Sequence, residues 1–356
     1  MIVSSAPGKL YIAGEYAVVE PGYPAILVAL NRFITVSLEK ALDNGSITSY
    51  GDMPILWRRE DDKLVLDQRD NRLFYIRKAI ETVESYAKEL GKDLDFYHLK
   101  VESDLESPEG KKIGLGSSAA VTVATVDVLC KHYNIDIPKK DLFKLSALSQ
   151  ISLNKDGSCG DIAASVFGGW IGFKTFDTDW VLKEKKKSSI SNILKKEWPG
   201  LWIESLIPPK ELELVIGWTG DPASTINLVE NVKNAKQSKR DIYEKFLFDS
   251  KQTVEDLIKA FKEKDIKRIQ ELISINGKLL STMGKKLNIQ IETSILKELS
   301  NIATKYNGYA KSSGAGGGDC GIVVFKGNYD IEGLEKEWNE QNIELLPLEV
   351  YKTKKE

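Results

Sequence analysis

The sequence is poor in the residues that build disulfide frameworks and metal centres. Its 356 residues include three cysteines, Cys130, Cys159 and Cys320, and two histidines, His98 and His132. An odd number of widely separated cysteines argues against a disulfide framework, and no CxxC pair indicates a zinc site. Neither histidine has a metal-ligand or catalytic-triad spacing. We therefore expect reduced thiols, with Cys159 packed in the interior, and no site built on histidine.

Long apolar segments and a strong net charge are also missing. No run approaches the length that crosses a bilayer, and the N-terminal MIVSSAPGKLYIAG lacks the basic and apolar regions of a signal peptide. The formal net charge of −2 gives no general attraction for nucleic acid. We expect a cytoplasmic protein with no membrane and no nucleic-acid partner. The densest basic run, Lys183 to Lys187, is interpreted as a solvated loop or helix end, with an anion-binding patch as the alternative.

The chain is long enough for about two domains, at roughly 150 residues each. Apolar periodicity predicts helices over residues 76–90, 254–261 and 295–306, and helices from about Ser224 to Met283. Apolar runs and alternation predict strands over residues 25–38, 97–101, 212–218 and 322–325. Because the two types mix without a repeated βαβ unit, the pattern favours an α+β fold. The predicted boundary near Gly220 gives domains at 1–220 and 221–356.

Three glycine-punctuated segments stand out, and the densest is KSSGAGGGDCG, from Lys311 to Gly321. It lies between a predicted helix and a predicted strand. Glycine permits positive φ and close approach of a ligand to the backbone, and successive N–H groups in such a turn form an anion-binding nest. The segment therefore predicts a phosphate-binding loop. The alternative is a tight connection without a ligand.

The second segment is GLGSSAAVTVATVDVLC, which begins at Gly114. Ser117 or Ser118 is placed to cap a helix that is apolar nearly all round from Ala119 to Leu129, which predicts a buried helix. The N-terminus of such a helix offers free N–H groups and a positive dipole end to phosphate. No GxxxxGK[ST] pattern occurs, so this is not a Walker A loop. The alternative is a capped core helix with no ligand.

The third segment is PGKLYIAGEYAVVEPGYPA, from Pro7 to Ala25. Lys9 lies in an otherwise apolar stretch near a first strand. Such a lysine is either a surface residue whose ammonium reaches water or a cation held for an anionic substrate. The residues of this segment alone leave both interpretations open.

In this order and at these separations, the three segments together resemble the three motifs of the GHMP kinases. The resemblance extends from Pro7 to Gly321. It implies an N-terminal domain like the second domain of ribosomal protein S5, a ferredoxin-like C-terminal domain, and a site in the cleft between them. Four further features resemble the family members that transfer phosphate from ATP to 5-phosphomevalonate: Tyr16, SCGD at 158–161, IGWTGDPAST at 216–225 and the pair Asp319 and Cys320.

The resemblance also implies roles for individual residues. Lys9 and Asp161 match the family's catalytic residues. The loop around the ATP phosphates would comprise Lys111, Gly114, Leu115, Gly116, Ser117, Ser118 and Ala119, with the Ser118 hydroxyl at Mg²⁺. The implied acceptor contacts are Lys9, Tyr16, Ser158, Ser313, Gly314, Ala315, Gly316 and Gly317.

One position departs from the family pattern. Mevalonate kinases carry an acidic Mg²⁺ ligand about eleven residues before the aspartate, whereas Gln150 stands at that offset here. The resemblance leaves three questions open. Asp161 is either a general base or a residue that orients Lys9, and the pair Asp319 and Cys320 has no assigned chemistry. The rival functions are a kinase of mevalonate or homoserine, a ligand-binding module without catalysis, and a nucleic-acid binder.

Overall fold

The computed structural model of the chain describes residues 1–49, 53–61, 63–67, 73–107, 110–220 and 225–352. Its strands are β1 (Ile2–Ala13), β2 (Pro24–Ala41), β3 (Gly45–Ser49), β4 (Ile55–Glu60), β5 (Lys63–Leu66), β6 (Phe96–Ser103), β7 (Trp170–Lys174), β8 (Trp202–Leu206), β9 (Leu212–Trp218), β10 (Tyr309–Ser312), β11 (Cys320–Lys326) and β12 (Glu344–Leu346). Its helices are α1 (Phe74–Glu89), α2 (Ser117–His132), α3 (Lys139–Ile151), α4 (Gly160–Phe167), α5 (Thr178–Lys185), α6 (Ile190–Lys195), α7 (Thr225–Ser238), α8 (Arg240–Glu263), α9 (Ile266–Leu287), α10 (Ser294–Lys305) and α11 (Ile331–Asn339).

A large sheet forms the first layer. Its strands run in the order β5-β4-β3-β6-β2-β7-β8, and β1 pairs with β2 in addition. Apart from the parallel pair β3 and β6, the described pairs in this sheet are antiparallel. The pairing of β1 with β2 shifts register between Pro7 and Lys9. This irregularity bends the strand at the lysine, as bulges do beside functional sites.

Helices cover the large sheet and bury its central strands. Helices α2 and α4 pack against β1 and β2, while α1 and α3 pack against α2. Helix α8 contacts β2 and β8, and the ring centroids of Trp170 and Phe261 lie 5.3 Å apart. The apolar run of α2 is buried almost throughout, because the helix is enclosed by strands and helices. The sequence-based prediction of a buried helix here is confirmed.

A smaller sheet forms the second layer, with strand order β10-β11-β9-β12. All of its described pairs are antiparallel. Helix α10 packs on β10 and β11, and a separate apolar cluster lies between this sheet and helices α10 and α11. Helix α9 contacts β1 of the large sheet as well as β10 and β11 of the small one, so it joins the two layers.

The predicted α+β class is confirmed, as are the predicted helices and strands. The predicted strand at 212–218 has the bounds of β9, and the helix predicted over 76–90 corresponds to α1. The interpretation of the basic run as a helix end is confirmed, because α5 has Lys183 and Lys185 in its last turn. The stretch through Met283 contains α7, α8 and α9. Its predicted start at Ser224 lies outside the described residues.

The domain division at residue 220 stays a prediction, since residues 221–224 lie outside the described part of the chain. Strand pairing favours an earlier boundary, because β9 belongs to the small sheet. Near the other end of the chain, Val350 bridges to Leu30 of β2 and so returns to the large sheet. Within the described ranges, no helix combines the length and apolar character needed to cross a bilayer.

Candidate active site

Lys9 projects from β1 at the register shift and is 8% exposed. Its backbone N–H donates to the carbonyl of Leu115 at 2.8 Å, and its ammonium lies 5.4 Å from the ring centroid of Tyr11. Gly8 allows this close approach, since a Cβ there would lie 3.0 Å from the Leu115 carbonyl oxygen. No carboxylate in the described part of the chain forms an ion pair with Lys9. The burial contradicts the surface interpretation and favours a cation held for an anionic ligand.

The second glycine segment forms a loop that ends in the first turn of α2. Gly114 and Gly116 have φ of +86° and +81°, which disfavours residues with a Cβ. A Cβ on Gly116 would lie 2.7 Å from Cε of Lys9, so the loop and the lysine are in direct contact. The first N–H groups of a helix have no partner one turn earlier, so this N-terminus offers donors beside the cation, as an anion-binding site requires.

The prediction that Ser117 or Ser118 caps α2 is wrong. Gly116 is the N-cap residue, no side chain caps the helix, and the helix begins at Ser117. The Gly116 carbonyl accepts from the N–H groups of Ala119 and Ala120 at 3.2 Å. The left-handed glycine turns the chain into the helix without a side-chain cap, which leaves both serine hydroxyls for other partners.

The hydroxyl of Tyr75, in the first turn of α1, is hydrogen-bonded with Ser118 and is affected by the charge of Asp161. Burial is the main reason that the pKa of Tyr75 is raised, followed by the Asp161 carboxylate, while a hydrogen bond with Ser118 opposes the rise. The Ser118 hydroxyl and the Asp161 carboxylate therefore both act on Tyr75. Tyr75 has no glycine or motif beside it, so nothing in the sequence pointed to it.

Asp161 lies in the first turn of α4, where the helix dipole favours a carboxylate. Its Oδ1 accepts from the N–H of Ile162 at 3.0 Å and from Nε2 of Gln150 at 3.5 Å. Gln150 is buried and thus places an amide donor against the aspartate, where an acidic residue was expected from the family pattern. In the described residues no group of three histidine, cysteine, aspartate or glutamate side chains can hold a metal ion.

Tyr11 connects three parts of the site. Its hydroxyl lies 3.1 Å from Oγ of Ser158, its N–H donates to Oγ of Ser313 at 3.1 Å, and its ring lies under the Lys9 ammonium. Burial, and then the nearby Asp161 carboxylate, raise the pKa of the hydroxyl well above 10, so it remains protonated. Lys9 and Asp161 form no ion pair. Tyr11 is near both, because its ring lies under the ammonium and its hydroxyl is affected by the carboxylate.

The third glycine segment forms the loop from β10 to β11, residues 313–319. Gly314, Gly316, Gly317 and Gly318 all have positive φ, which confirms the predicted need for glycine. A Cβ on Gly316 would collide with the carbonyl of Ile291, whose oxygen accepts from the N–H of Gly317 at 2.8 Å. The loop is thus a fixed turn held against the start of the connection to α10.

Two predicted acceptor contacts tie this loop to the first segment. Ser313 is 4% exposed, and its hydroxyl donates to the Tyr11 carbonyl at 2.8 Å. The Tyr16 hydroxyl donates to the carbonyl of Ala315 at 2.5 Å. Burial and the adjacent Glu15 raise the pKa of Tyr16, so this hydroxyl remains a donor. Both hydroxyls are engaged within the protein, and their contact with an acceptor stays a prediction.

The pair Asp319 and Cys320 now has a position. Sγ of Cys320 donates to the Ile113 carbonyl at 3.2 Å, and a Cβ on Gly114 would lie 2.6 Å from Cγ of Asp319. The carbonyl of Asp319 accepts from N–H and Oγ1 of Thr219 at 3.0 and 3.1 Å. The beginning of β11 therefore contacts the second glycine segment, and the Cys320 thiol takes part through its hydrogen bond to Ile113.

A cavity of about 310 Å³ lies beside Tyr16. Its lining includes one lysine, Lys155, and four carboxylate residues, Glu20, Asp156, Asp177 and Asp179. This excess of negative charge disfavours a polyanion. The surface suited to phosphate is instead the one formed by Lys9 and the two glycine loops.

Described contacts connect Lys9 to Leu115 and Gly116, Tyr11 to Ser158 and Ser313, and Tyr16 to Ala315, and none of them includes Lys111. Lys111 is exposed, and the described contacts at its backbone join it to Ser107. No sequence pattern pointed to Tyr11, to Tyr75 or to the buried ion pair between Glu15 and Lys311. Glu15 and Tyr11 lie inside the first glycine-punctuated segment, and this position in the sequence is the one signal that could have identified them.

Comparison with known proteins gives matches along the whole chain. The family model for the GHMP kinases N terminal domain matches residues 75–169, and the model described as GHMP kinases C terminal matches residues 257–344. The phosphomevalonate kinase of Streptomyces sp. (strain CL190) is 36% identical over 361 residues, covering 98% of this chain and 96% of that protein.

Solved structures agree with these matches. The Lin0012 protein of Listeria innocua is 37% identical, with a TM-score of 0.91 and coverage of 99% of this chain and 98% of that one. Streptococcus pneumoniae phosphomevalonate kinase in complex with phosphomevalonate and AMPPNP is 29% identical, with a TM-score of 0.86 and coverage of 99% and 100%.

Proposed function

The chain belongs to the GHMP kinase family, and we propose that it transfers the γ-phosphoryl group of ATP to 5-phosphomevalonate, giving ADP and 5-diphosphomevalonate in the mevalonate route to isoprenoids. The observation that carries the proposal is the buried Lys9 ammonium, held beside the phosphate loop with no ion pair to a described carboxylate. The choice of acceptor is supported by the similarity to two phosphomevalonate kinases over nearly the full length of each.

In the transfer, an oxygen of the acceptor phosphate forms a bond to the γ-phosphorus while the bond from that phosphorus to the β–γ bridging oxygen breaks. ADP leaves with the electron pair of the broken bond. The acceptor is a phosphate monoester with a second pKa of about 6, so at neutral pH it is mostly dianionic and has no proton to lose. The main task of the protein is therefore to hold two polyanions in line and neutralise their charge.

Lys9 and the backbone N–H groups of the loops are placed to do this. The ammonium lies against Gly116, where the second loop enters α2, and is enclosed by protein, so its field is weakly screened. The N–H groups of Ser117 and Ser118 at the helix N-terminus add donors that require no reorganisation. We propose Lys9 as the catalytic cation and residues 114–119 as the ATP phosphate loop, with Lys111 at its exposed approach.

We propose Mg²⁺ as the cofactor, held by ATP oxygens, water and the Ser118 hydroxyl. Mg²⁺ prefers oxygen ligands and usually keeps several waters, so a site with one hydroxyl suits it. The hydroxyl is available because Gly116, not serine, caps α2. The amide of Gln150 against Asp161 leaves no second acidic ligand at the family position. Mg²⁺ bound with ATP would neutralise part of the charge on the transferred phosphoryl group.

We propose that Asp161 shapes the site electrostatically and is not essential as a base. It forms no ion pair with Lys9 in the described part of the chain, and its charge acts on the neighbouring Tyr11 and Tyr75 hydroxyls. The acceptor contacts are proposed to come from Tyr16, Ser158 and the loop 313–317. We also propose a cytoplasmic location and a first domain that ends before β9.

Steady-state kinetics with a panel of acceptors tests this function. ADP release is measured with 5-phosphomevalonate, mevalonate and homoserine at equal ATP and Mg²⁺. We expect kcat/KM for phosphomevalonate to exceed the other values by at least about a hundredfold, because only this acceptor presents a dianion to Lys9. A preference for mevalonate would indicate a mevalonate kinase and contradict the proposed acceptor. No turnover of any acceptor would favour a ligand-binding module.

A further inference from the structure

A buried ion pair joins the first segment to the third. The ammonium of Lys311 donates to Oε1 of Glu15, and the two side chains are 1% and 2% exposed. Glu15 lies just after β1 and directly before Tyr16, while Lys311 lies in β10, two residues before Ser313. The pair therefore crosses between the large and the small sheet at the point where the third glycine loop begins.

Stability does not account for this pair. Burial lowers the pKa of Lys311, although the Glu15 carboxylate opposes that shift. Oε2 of Glu15 is buried and has no hydrogen-bond partner among the described residues, so the charge is incompletely compensated. Replacing a buried ion pair by apolar residues is often neutral or stabilising, because both ions lose their hydration. A pair kept under these conditions points to a requirement for geometry.

The surroundings fix the direction of Lys311. Helix α9 lies against it from behind, and a Cβ on Gly277 would lie 2.8 Å from Cβ of Lys311. On the other side, Ser313 is bound to the backbone of Tyr11, and Ala315 accepts from Tyr16. The ion pair and these two hydrogen bonds thus form consecutive contacts that hold the third loop against the first segment.

The loop at 114–119 contacts Lys9 and the far end of the third loop, where a Cβ on Gly114 would lie 2.6 Å from Cγ of Asp319. The N–H of Lys9 donates to Leu115, and Cys320 donates to Ile113. Neither contact involves Glu15 or Lys311. Loosening the ion pair should therefore disturb the third loop while leaving the N-terminus of α2 in place.

We propose that Glu15 and Lys311 are positioning residues that set the third glycine loop for the acceptor, and not for ATP. This rests on the proposed function, in which residues 313–317 contact the acceptor. Misplacing a binding loop by about 1 Å lowers reaction rates by as much as about a hundredfold. The pair acts through Ser313 and Ala315 and has no proposed contact with the reacting atoms.

The test compares Lys311→Met, Glu15→Gln and the double variant with the wild type. We expect the acceptor KM to rise about tenfold or more in each, with ATP KM changed less than about twofold. The matched control is Lys144→Met, which removes another buried lysine whose ammonium donates to the carbonyls of Leu194 and Lys196. It should lower the melting temperature and leave both KM values unchanged.

The double variant separates positioning from stability, since it has no unpaired buried charge. Recovery of the melting temperature with a raised acceptor KM supports the proposal. It is overturned if the double variant also recovers the acceptor KM, if both KM values rise together, or if Lys144→Met raises the acceptor KM.

Hydrogen–deuterium exchange makes the test independent of the acceptor. The amides of residues 313–318 should exchange faster in Lys311→Met and in the double variant than in the wild type and Lys144→Met. Unchanged exchange in this loop contradicts the proposal even if the chain phosphorylates phosphomevalonate. Two results together would contradict the proposed function alone: a wild type that is inactive on phosphomevalonate, and faster exchange of this loop in the Lys311→Met and double variants.

Discussion

At the scale of single residues, the site is organised around the ammonium group of Lys9, which the fold buries. Lys9 is nearly buried, and its neighbours are the ring of Tyr11 and the glycine backbone of the phosphate loop. A buried charge without a partner is costly unless a ligand supplies the opposite charge. Substrate phosphates would supply it, so binding and charge compensation coincide at this residue.

Replacing the two catalytic candidates should have unequal effects. Lys9→Met is expected to lower kcat by at least about a hundredfold to a thousandfold, because it removes preorganised positive charge at the transferred group. Asp161→Asn is expected to retain more activity at pH 8 than the same substitution would in a kinase that phosphorylates an alcohol, since a dianionic acceptor needs no general base. The measurement is steady-state turnover of phosphomevalonate by each variant between pH 6 and pH 9.

The exposed Lys111 supplies a control for the loss of a positive charge near the loop. Lys111→Met should lower kcat far less than Lys9→Met does, because an exposed charge is screened by water and salt. Equal and nearly complete loss in Lys9→Met and Asp161→Asn over the whole pH range would contradict the lesser role of Asp161.

At the scale of elements, the decisive feature is how α2 begins. Its apolar residues are buried on all sides, so the N-terminus is the part of the helix left to meet a ligand. Gly116 performs the turn in a left-handed conformation, and the same residue touches the side chain of Lys9. The element therefore couples the position of the cation to the direction of the helix N-terminus.

Gly116→Ala should damage catalysis beyond the cost of its backbone conformation. A non-glycine residue in the left-handed region costs about 1–2 kcal/mol, and the new methyl group would also displace Lys9. We expect a lower melting temperature together with a fall in kcat of about tenfold or more. Thermal unfolding and steady-state kinetics on the same preparation measure both.

Gly91→Ala is the matched control for this substitution. Gly91 has φ of +72° and no atom within 4 Å of an added Cβ, so it carries the backbone cost without the contact. It should lower stability and leave kcat unchanged. If both alanine variants lose stability but keep the wild-type kcat, the contact between Gly116 and Lys9 has no catalytic role.

At the scale of the whole molecule, the site exists because two sheets are held together. The large sheet supplies Lys9 and the elements around Asp161, while the small sheet supplies the third loop. Helix α9 contacts both sheets, and hydrogen bonds from Ser313, Tyr16 and Cys320 cross between them. Cooperative unfolding should therefore disrupt catalysis and stability together.

The free energy of unfolding should fall as pH decreases from 7 to 5, and His132 should contribute to that fall. Its side chain is 7% exposed, and burial lowers its pKa below 6.5 although Asp95 lies 3.4 Å away. The folded protein then binds fewer protons than the unfolded chain, so the contribution is present above pH 6.5 and is lost as pH falls through the folded pKa. Denaturant unfolding of His132→Asn should show a weaker dependence on pH over this range.

The other histidine, His98, is exposed on β6 and serves as the control. His98→Asn removes the other imidazole, and the pH dependence of its unfolding is the reference for that of His132→Asn. If His132→Asn shows the same pH dependence as this reference, burial of the His132 imidazole does not contribute to the acid sensitivity of the fold.

Much of the fold was predictable, because apolar periodicity is a local property of the chain. The α+β class, the buried helix after Gly114 and the strand at 212–218 all followed from neighbouring residues. The cap of α2 did not, because the left-handed turn at Gly116 lies against Lys9, more than a hundred residues earlier, and neighbouring residues do not reveal such a contact. The domain boundary depends likewise on strand pairing across the chain, since β9 pairs with β11.

The sequence by itself determined where the three glycine-punctuated segments lie and which helix is buried, because glycine content and apolar periodicity are properties of consecutive residues. Only the tertiary structure decided what surrounds them. Tyr11, Tyr75 and the pair of Glu15 and Lys311 gain their roles from partners distant in sequence. Whether Lys9 meets water or a buried site was settled in the same way, because burial is a property of the folded packing and not of the neighbouring residues.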